Sequence, residues 1–338
     1  MKWIFLIFSL SMVNFCENKK NIKDFAILTN KKIFNPGDTL KISLKKNNKL
    51  EYDSITYYKD DEKINSVHVI GKKLGDKKIT VKLFKENNFR ENSLNIRVLS
   101  PLAPKLFTYK IINEYPHDIN SYTQGLEFYD NRLFESVGLR GKSALKEVKF
   151  ESGKINRYLP VDDAYFAEGI TLLNEKIYQL TWQSKIGFIY DLKSFKLIDS
   201  FKYNESDEGW GLCNDGKLIY KSDGTSKIWI IDPNSLKEIG FIQVTTNKSI
   251  ISKINEMEWI NGKIYANTYQ FNKDVVLIID PKTGLVEGVV DFNGLKEKVI
   301  NHPKIDVLNG IAYNKNSKTI FLTGKNWSKL FEVQITEK

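Results

Sequence analysis

Histidine and cysteine are scarce in this sequence of 338 residues. The three histidines, His68, His117 and His302, show no metal-ligand spacing to carboxylates or thiols. Neither a Gly-x-Ser-x-Gly elbow nor a Cys–His pairing appears, which argues against nucleophilic hydrolysis, and no phosphate-cradling glycine loop is present. These absences favour a site that needs no metal or other cofactor for catalysis and combines one carboxylate with hydrogen-bond donors. A structural cation stays open at this point.

Long apolar runs are also missing. The only early run, Trp3–Val13, is too short to cross a bilayer and is typical of a secretory signal. Cys16 follows directly, and the arrangement resembles a bacterial lipoprotein signal in which this cysteine becomes the lipidated first residue. We therefore interpret residues 1–16 as a signal and expect an exported protein, periplasmic or membrane-anchored through Cys16. The alternative is an ordinary signal peptide with an incidental cysteine.

Lipidation of Cys16 would leave Cys213 without a disulfide partner, since these are the only two cysteines. Cys213 falls within a strand pattern, so we expect a small core residue.

Basic residues are plentiful but not clustered. The net charge of +10 comes almost wholly from scattered lysines, whereas nucleic-acid binders more often show a basic stripe with arginine among aromatics. We therefore expect a solvated surface and no nucleic-acid partner. The chain length suggests two domains, and we expect a monomer.

Residues 21–100 differ from the rest of the chain. Short segments alternate in apolar and polar character, and turn signals such as Asn35-Pro-Gly-Asp separate them. Six short strands with this spacing predict a small immunoglobulin-like β-sandwich. Residues 101–105, which contain two prolines, are the predicted linker.

A short segment recurs five times along residues 106–338. The register positions of the copies are Gly125, Gly169, Gly211, Met257 and Gly310, separated by 42 to 53 residues. Such a period, built from short strands, is typical of propeller blades and predicts an all-β, five-bladed propeller. The strand at 107–112 has no hairpin partner nearby, so we expect it to complete the last blade and close the ring.

The repeat also predicts which side chains meet at one mouth of the ring. The residues just before the register positions are Gln124, Glu168, Trp210, Glu256 and Asn309. The second run of each copy ends at Gly138, Trp182, Asp223, Tyr269 and Lys325. Together they predict an aromatic-lined polar pocket.

Several stretches resemble the plant-type glutaminyl cyclases, which are also found in bacteria. They include Tyr-Thr-Gln-Gly-Leu at 122, Glu-Gly-Ile-Thr-Leu-Leu at 168, Tyr-Gln-Leu-Thr-Trp-Gln at 178, Glu-Gly-Trp-Gly-Leu at 208, Asn-Glu-Met-Glu-Trp at 255, Leu-Asn-Gly-Ile-Ala-Tyr at 308 and Leu-Thr-Gly-Lys-Asn-Trp at 322. The resemblance covers residues 117–330. It implies a five-bladed propeller that converts the N-terminal glutamine of peptides or proteins into pyroglutamate and releases ammonia without zinc.

The resemblance also implies roles for single residues. Glu168 would be the general acid/base, with a pKa that aromatic side chains raise by desolvation. Lys325 and Asn255 would polarise the amide oxygen, and Gln124 would hold the amine. The substrate-binding aromatics would be Tyr122, Phe166, Trp182, Trp210 and Tyr269.

Other interpretations remain open at this point. The runner-up function is a non-catalytic propeller that binds peptides or other ligands at the same mouth of an exported lipoprotein. Glu256 and Glu258 are as acidic as Glu168, so their roles could be exchanged. Asp223 is expected to tighten a turn, and His117 is expected to be structural.

Overall fold

The fold is all-β over the part of the chain that the computed structural model describes, residues 25–46, 50–270 and 273–338. Within these ranges, the single 3-10 turn Lys296–Lys298 is the one non-strand element. Helices long and apolar enough to cross a membrane are absent from these same ranges. The predicted signal and Cys16 lie outside the described residues.

Two sheets form the N-terminal part and share one hydrophobic core. Their strands are β1 (Phe25–Thr29), β2 (Ile33–Phe34), β3 (Thr39–Lys46), β4 (Ser54–Lys59), β5 (Glu62–Ile64), β6 (Val67–Val69), β7 (Gly75–Lys85) and β8 (Asn88–Val98). The strand orders are β1-β3-β6 and β2-β8-β7-β4-β5. Alternate residues of β7, Ile79, Val81 and Leu83, point into the core, as the period-2 pattern requires. The strands β2 and β5 were not predicted, because two or three residues are too few to show a period.

The remaining strands are short and follow one another in antiparallel meanders. They are β9 (Lys105–Pro116), β10 (Thr123–Tyr129), β11 (Arg132–Val137), β12 (Ala144–Lys149), β13 (Lys154–Pro160), β14 (Ala167–Leu173), β15 (Lys176–Thr181), β16 (Ile186–Asp191), β17 (Leu197–Lys202), β18 (Leu212–Asn214), β19 (Ile219–Ser222), β20 (Lys227–Asp232), β21 (Lys237–Gln243), β22 (Ile254–Ile260), β23 (Lys263–Thr268), β24 (Val275–Ile279), β25 (Val286–Asp291), β26 (Leu308–Asn314), β27 (Thr319–Gly324) and β28 (Lys329–Glu337). Strand β9 begins at Lys105, so the segment without strand ends one residue earlier than the predicted linker.

Three of the sheets have four consecutive strands each, β10–β13, β14–β17 and β18–β21. A larger sheet has eight strands in the order β22-β23-β24-β25-β9-β28-β27-β26. It consists of two four-stranded groups that are joined where β25 and β9 pair in parallel over three residue pairs. As predicted, β9 completes the last group, because it pairs antiparallel with β28 from Lys329↔Pro116 to Glu337↔Phe107.

The first strands of the five groups contact one another in a closed cycle. Strand β10 contacts β14, and the series continues through β18, β22 and β26 back to β10. The repeat glycines permit this close approach, because a Cβ on Gly169 would lie 2.7 Å from the carbonyl oxygen of Trp210, and one on Gly125 would lie 2.5 Å from the backbone nitrogen of Ile170. The recurring glycines in the sequence therefore indicate innermost strands whose backbones pack directly against one another.

The fourth copy of the repeat is shifted by one residue relative to the prediction. Ile254 opens the pairing of β22 with β23 in the same way that Ala167 opens the pairing of β14 with β15. Glu256, and not Met257, therefore stands where the other copies have glycine. Met257 is a buried core residue, and its apolar character misled the alignment.

The Glu256 side chain has a structural role at this position. Its carboxylate accepts hydrogen bonds from the backbone N–H of Leu126 at 3.2 Å and of Ile311 at 2.8 Å. It thus connects the first strands of three groups around the axis. The correction moves Asn255 into the position that Glu168 occupies in its own copy.

The N-terminal sheets contact the outer side of the ring directly. The backbone N–H of Asp76 donates to Gln243 Oε1 at 2.8 Å, and that of Leu74 donates to the carbonyl oxygen of Thr283 at 3.0 Å. Leu285 packs against the N-terminal core. The N-terminal part is therefore docked on the ring by more than the connecting segment.

Candidate active site

A bulge in four of the five innermost strands directs polar side chains to one end of the ring. The antiparallel register shifts between Thr123 and Gly125, and equivalent shifts occur in β14, β22 and β26. Bulges of this kind re-aim a side chain and are common beside active sites. The residues at these irregularities are Gln124, Glu168, Asn255 and Asn309.

One cavity of about 210 Å³ lies at this end. Its lining consists of the nine predicted catalytic and substrate-binding residues, Tyr122, Gln124, Phe166, Glu168, Trp182, Trp210, Asn255, Tyr269 and Lys325. The structure therefore brings together side chains that are scattered over about two hundred positions of the sequence.

Glu168 is a buried carboxylate in this cavity, with an exposed fraction of 5%. Gln124 Nε2 donates a hydrogen bond to Glu168 Oε1 at 3.3 Å. Burial raises the pKa of Glu168 well above its ordinary value; the nearby Lys325 charge opposes this shift, and the Glu208 charge adds to it. The carboxyl group can therefore hold a proton at a pH where an exposed glutamate is ionised.

Lys325 follows the last residue of β27 and is also buried. Its Nζ lies 4.7 Å from the ring centroid of Tyr122 and 5.0 Å from that of Tyr269, within the range of cation–π attraction. Burial lowers the pKa of Lys325, whereas Glu168 and Asp306 oppose this shift. The ammonium is thus held by aromatic faces, which leaves N–H donors available at the cavity.

Asn255 and Asn309 contribute buried amide groups behind the carboxylate. Within the described part of the chain, Asn255 Oδ1 and Asn309 Oδ1 have no hydrogen-bond partner although both are buried. Asn309 Nδ2 donates to Gln124 Oε1 at 3.2 Å and to the carbonyl oxygen of Thr123 at 2.9 Å. This orients the Gln124 amide so that its N–H₂ faces Glu168. The free acceptor of Asn255 is the kind of group that a polar ligand would satisfy.

The aromatic wall of the cavity is built from edge-to-face contacts. The ring centroids of Phe166 and Trp182 are 5.6 Å apart, and those of Trp210 and Tyr269 are 5.8 Å apart. Gly224 makes room for this wall, because a Cβ there would lie 2.5 Å from the Trp210 ring. Gly224 also has a φ of +76°, which glycine adopts without strain.

Two acidic residues that sequence reasoning did not assign to the site support its wall. Glu208 Oε2 accepts hydrogen bonds from the indole N–H of Trp182 at 2.7 Å and of Trp210 at 2.9 Å. Asp306 Oδ2 accepts the Tyr122 hydroxyl at 2.9 Å. Glu208 lies inside a motif quoted for the family resemblance, which was the available signal, whereas no sequence pattern singles out Asp306.

The other acidic candidates lie elsewhere. Glu258 Oε1 accepts the Tyr313 backbone N–H at 3.0 Å, and Glu258 and Glu127 line a separate, larger cavity formed by the turns after the first strands. Glu256 connects strands around the axis, as described above. An exchange of roles between Glu168 and these residues therefore has no support in the geometry.

Three further predictions about single residues are confirmed. Asp223 Oδ1 accepts the backbone N–H of Thr225 at 2.9 Å and so holds the turn. His117 is buried, with Nδ1 at 2.8 Å from the Trp327 carbonyl oxygen and Nε2 at 3.0 Å from Glu135 Oε1. Cys213 is a buried free thiol.

Across the described ranges, no group of three or more His, Cys, Asp or Glu side chains is placed to hold a metal ion.

The ring of sheets and its cavity define an all-β protein that can bind a small polar group beside a proton-holding carboxyl group. The chain belongs to the glutamine cyclotransferase family, whose sequence model matches residues 85–335.

Two relatives show the same relationship in detail. The glutaminyl-peptide cyclotransferase of Arabidopsis thaliana is 37% identical over 239 residues, which is 70% of this chain and 74% of that protein. The crystal structure of Myxococcus xanthus glutaminyl cyclase matches with a TM-score of 0.64 and 36% identity, over 70% of this chain and 99% of that chain.

Proposed function

We propose that this protein is a glutaminyl-peptide cyclotransferase, an aminoacyl-transfer enzyme that acts on peptides or proteins with an N-terminal glutamine. The observation that carries the proposal is the buried Glu168 carboxyl group, which shares a small aromatic cavity with the Lys325 ammonium and the Asn255 amide. The cavity volume of about 210 Å³ is below the ~300–1,000 Å³ of drug-sized sites. It suits one side chain with its terminal amine rather than a long peptide segment.

In the proposed reaction, the α-amine of the substrate attacks the carbonyl carbon of its own side-chain amide. A C–N bond forms, the amide C–N bond breaks, and ammonia leaves with the proton that the amine gave up. Glu168 would take this proton from the amine and give it to the departing nitrogen. A carboxyl group with a pKa nearer neutrality serves both steps, and burial raises the pKa of Glu168 in this direction.

Lys325 and Asn255 would stabilise the negative charge that develops on the amide oxygen. One well-placed donor is worth roughly 3 kcal/mol in such a transition state. The Asn255 Oδ1 atom, which has no partner in the described part of the chain, would accept a hydrogen bond from the amine or the amide nitrogen. Gln124 would hold the amine near Glu168, and the aromatic wall would exclude the water that could hydrolyse the amide to glutamate.

The proposal includes an architecture that places this site. The five four-stranded groups would be the blades of a five-bladed β-propeller over residues 106–338, because their first strands contact one another in a closed cycle. The two N-terminal sheets would form an immunoglobulin-like β-sandwich over residues 21–100. On the sequence pattern alone, we further propose a monomeric, exported protein without a nucleic-acid partner, lipid-anchored through Cys16.

The test is to incubate the protein with a peptide that begins with glutamine and to follow ammonia release and the matching loss of mass. Glu168→Gln should lower kcat by at least about 100-fold, because it removes the proton carrier. Glu258→Gln is the matched control, since it replaces a buried carboxyl group of an innermost strand that lies outside the cavity. Equal activity of Glu168→Gln and wild type would refute the mechanism. A wild type that is inert with varied glutamine peptides would favour the alternative, a non-catalytic peptide-binding propeller.

A further inference from the structure

Glu208 lies where the two tryptophans of the cavity wall come together. A single carboxylate oxygen, Oε2, accepts both indole N–H groups, at 2.7 Å from Trp182 and 2.9 Å from Trp210. The second oxygen, Oε1, accepts Gln183 Nε2 at 3.0 Å. The two tryptophans come from different four-stranded groups, so this one carboxylate links neighbouring sheets at the cavity mouth.

The segment that carries Glu208 is itself fixed by a buried ion pair. Glu238 Oε2 accepts the backbone N–H of Glu205 at 2.7 Å and of Ser206 at 3.0 Å. Glu238 Oε1 accepts the ammonium of Lys221 at 2.7 Å, and Lys221 is fully buried with its Nζ 3.6 Å from the Tyr203 ring centroid. Moving the segment away would leave the buried Glu238 carboxylate without its two backbone N–H donors, which is unfavourable.

A tryptophan side chain on an irregular segment can rotate, and its indole N–H seeks an acceptor when it is partly buried. Trp182 directly follows β15 and Trp210 lies two residues before β18, so neither tryptophan lies within a strand. The Trp182 ring contacts Phe166, and the Trp210 ring contacts Tyr269, so these are two separate ring pairs. The shared acceptor Glu208 Oε2 links the two indoles to each other, which these separate ring pairs do not do.

We propose that Glu208 is a positioning residue, which sets the two tryptophans of the cavity wall through both indole N–H groups. The role rests on the proposed function, since it is the glutamine side chain of the substrate that would lie against this wall. Glu208 does not touch the reacting atoms in this assignment; it acts through Trp182 and Trp210. The buried Lys221–Glu238 pair keeps its segment in place.

The test compares Glu208→Ala, Glu208→Gln and the control Glu205→Gln, which alters an exposed carboxylate of the same segment. Glutamine keeps an oxygen acceptor for both indoles, and the Gln183 amide can turn to accept from the new N–H₂ group. Glu208→Ala removes the acceptor, so we expect kcat/KM to fall about 100-fold, as for a small misplacement of a substrate-positioning wall. Glu208→Gln should stay within about threefold of wild type at its pH optimum.

A second readout separates positioning from a merely structural contribution. Of the charged groups facing Glu168, Lys325 lowers its pKa and Glu208 raises it. Glu208→Gln should therefore shift the acidic limb of the kcat/KM profile to lower pH, whereas Glu205→Gln should leave it in place. A variant that only destabilised the fold would lower the yield of active protein without moving this limb.

A third readout needs no substrate. Iodide should quench tryptophan emission more strongly in folded Glu208→Ala than in Glu208→Gln, which loses the same negative charge but keeps an acceptor for both indoles, because indoles without this acceptor can turn toward solvent. A Glu208→Ala enzyme within threefold of wild type overturns the proposal, and so does a Glu208→Gln enzyme as impaired as Glu208→Ala. If wild type shows no cyclase activity, the proposed function fails, while unchanged iodide quenching would overturn the positioning role independently.

Discussion

Replacing Glu168 by glutamine should stabilise the protein relative to wild type by an amount that grows as pH rises, although it should also lower kcat strongly. The side chain is buried, and burial raises its pKa well above the ordinary value. In the unfolded chain, Glu168 loses its proton near pH ~4.3. In the folded protein it keeps the proton to higher pH, so wild type is destabilised progressively as pH rises from the unfolded pKa to the folded pKa. Glutamine cannot ionise and avoids this loss.

The size of the effect follows from one proton. The difference in unfolding free energy between Glu168→Gln and wild type should be constant below pH ~4 and then rise by up to about 1.4 kcal/mol per pH unit. It should level off once the pH exceeds the folded pKa of Glu168. Other buried carboxyl groups titrate in both proteins and cancel in the difference. The pH at which the plateau begins therefore reports the folded pKa of Glu168 in the presence of its charged neighbours Lys325 and Glu208.

The assay is urea unfolding of both proteins at half-unit steps from pH 4 to 8, at constant ionic strength. A difference that rises above pH ~4 is the expected result, because burial raises the pKa of Glu168 above its unfolded value. A difference that stays flat across the range would mean that Glu168 titrates in the fold as it does in the unfolded chain. The reasoning that burial raises the pKa of Glu168 would then be refuted.

Three other variants test the remaining parts of the structure. Lys325→Met should lower kcat about 100- to 1,000-fold. It should also shift the acidic limb of the pH profile to higher pH, because Lys325 opposes the raised pKa of Glu168. An acidic limb that stays in place would count against an interaction between the two charges. Gly169→Ala should lower the free energy of unfolding in urea by about 1–3 kcal/mol, because its Cβ would lie 2.7 Å from backbone atoms of the next strand. An unchanged free energy of unfolding would show that the innermost strands can move apart at little energetic cost. Burial alone would raise the pKa of Glu135, yet His117 and Lys146 lower it to about 2 from 4.5. Glu135 therefore contributes roughly 3 kcal/mol to the free energy of unfolding above pH ~4.5, and this contribution is lost as pH falls toward 2. Glu135→Gln should therefore show a stability deficit that shrinks on acidification, opposite in sign to the Glu168 effect, and a deficit independent of pH would contradict the assigned pKa.

The sequence was sufficient to predict the strands and most of the cavity because both depend on local, repeated signals. Each first strand must approach its neighbour closely, so glycine recurs at Gly125, Gly169 and Gly211, and the residue before it is turned toward the cavity. Asn255 lines the cavity as expected, despite the wrong register of its copy, because the expectation came from a family motif and not from the alignment of Met257.

The remaining parts depend on contacts that no local pattern records. Glu208 acquires its role only when two tryptophans from neighbouring sheets meet at one oxygen. Asp306 lies in an irregular segment, and its partner Tyr122 is 184 positions away in the sequence. The parallel join of β25 and β9 involves three residue pairs, too few to leave a pattern.

The pairing of β9 with β28 has a consequence for how the protein is made. It joins Phe107 to Glu337, so the ring cannot close until more than two hundred further residues have been synthesised. Pairings between such distant segments form slowly, and the edges of the unpaired strands stay exposed until they form. Lys325 and Gln124 lie on opposite sides of this seam, so a chain that has not yet closed carries every part of the cavity but no complete site. Activity should therefore appear only after the ring has closed.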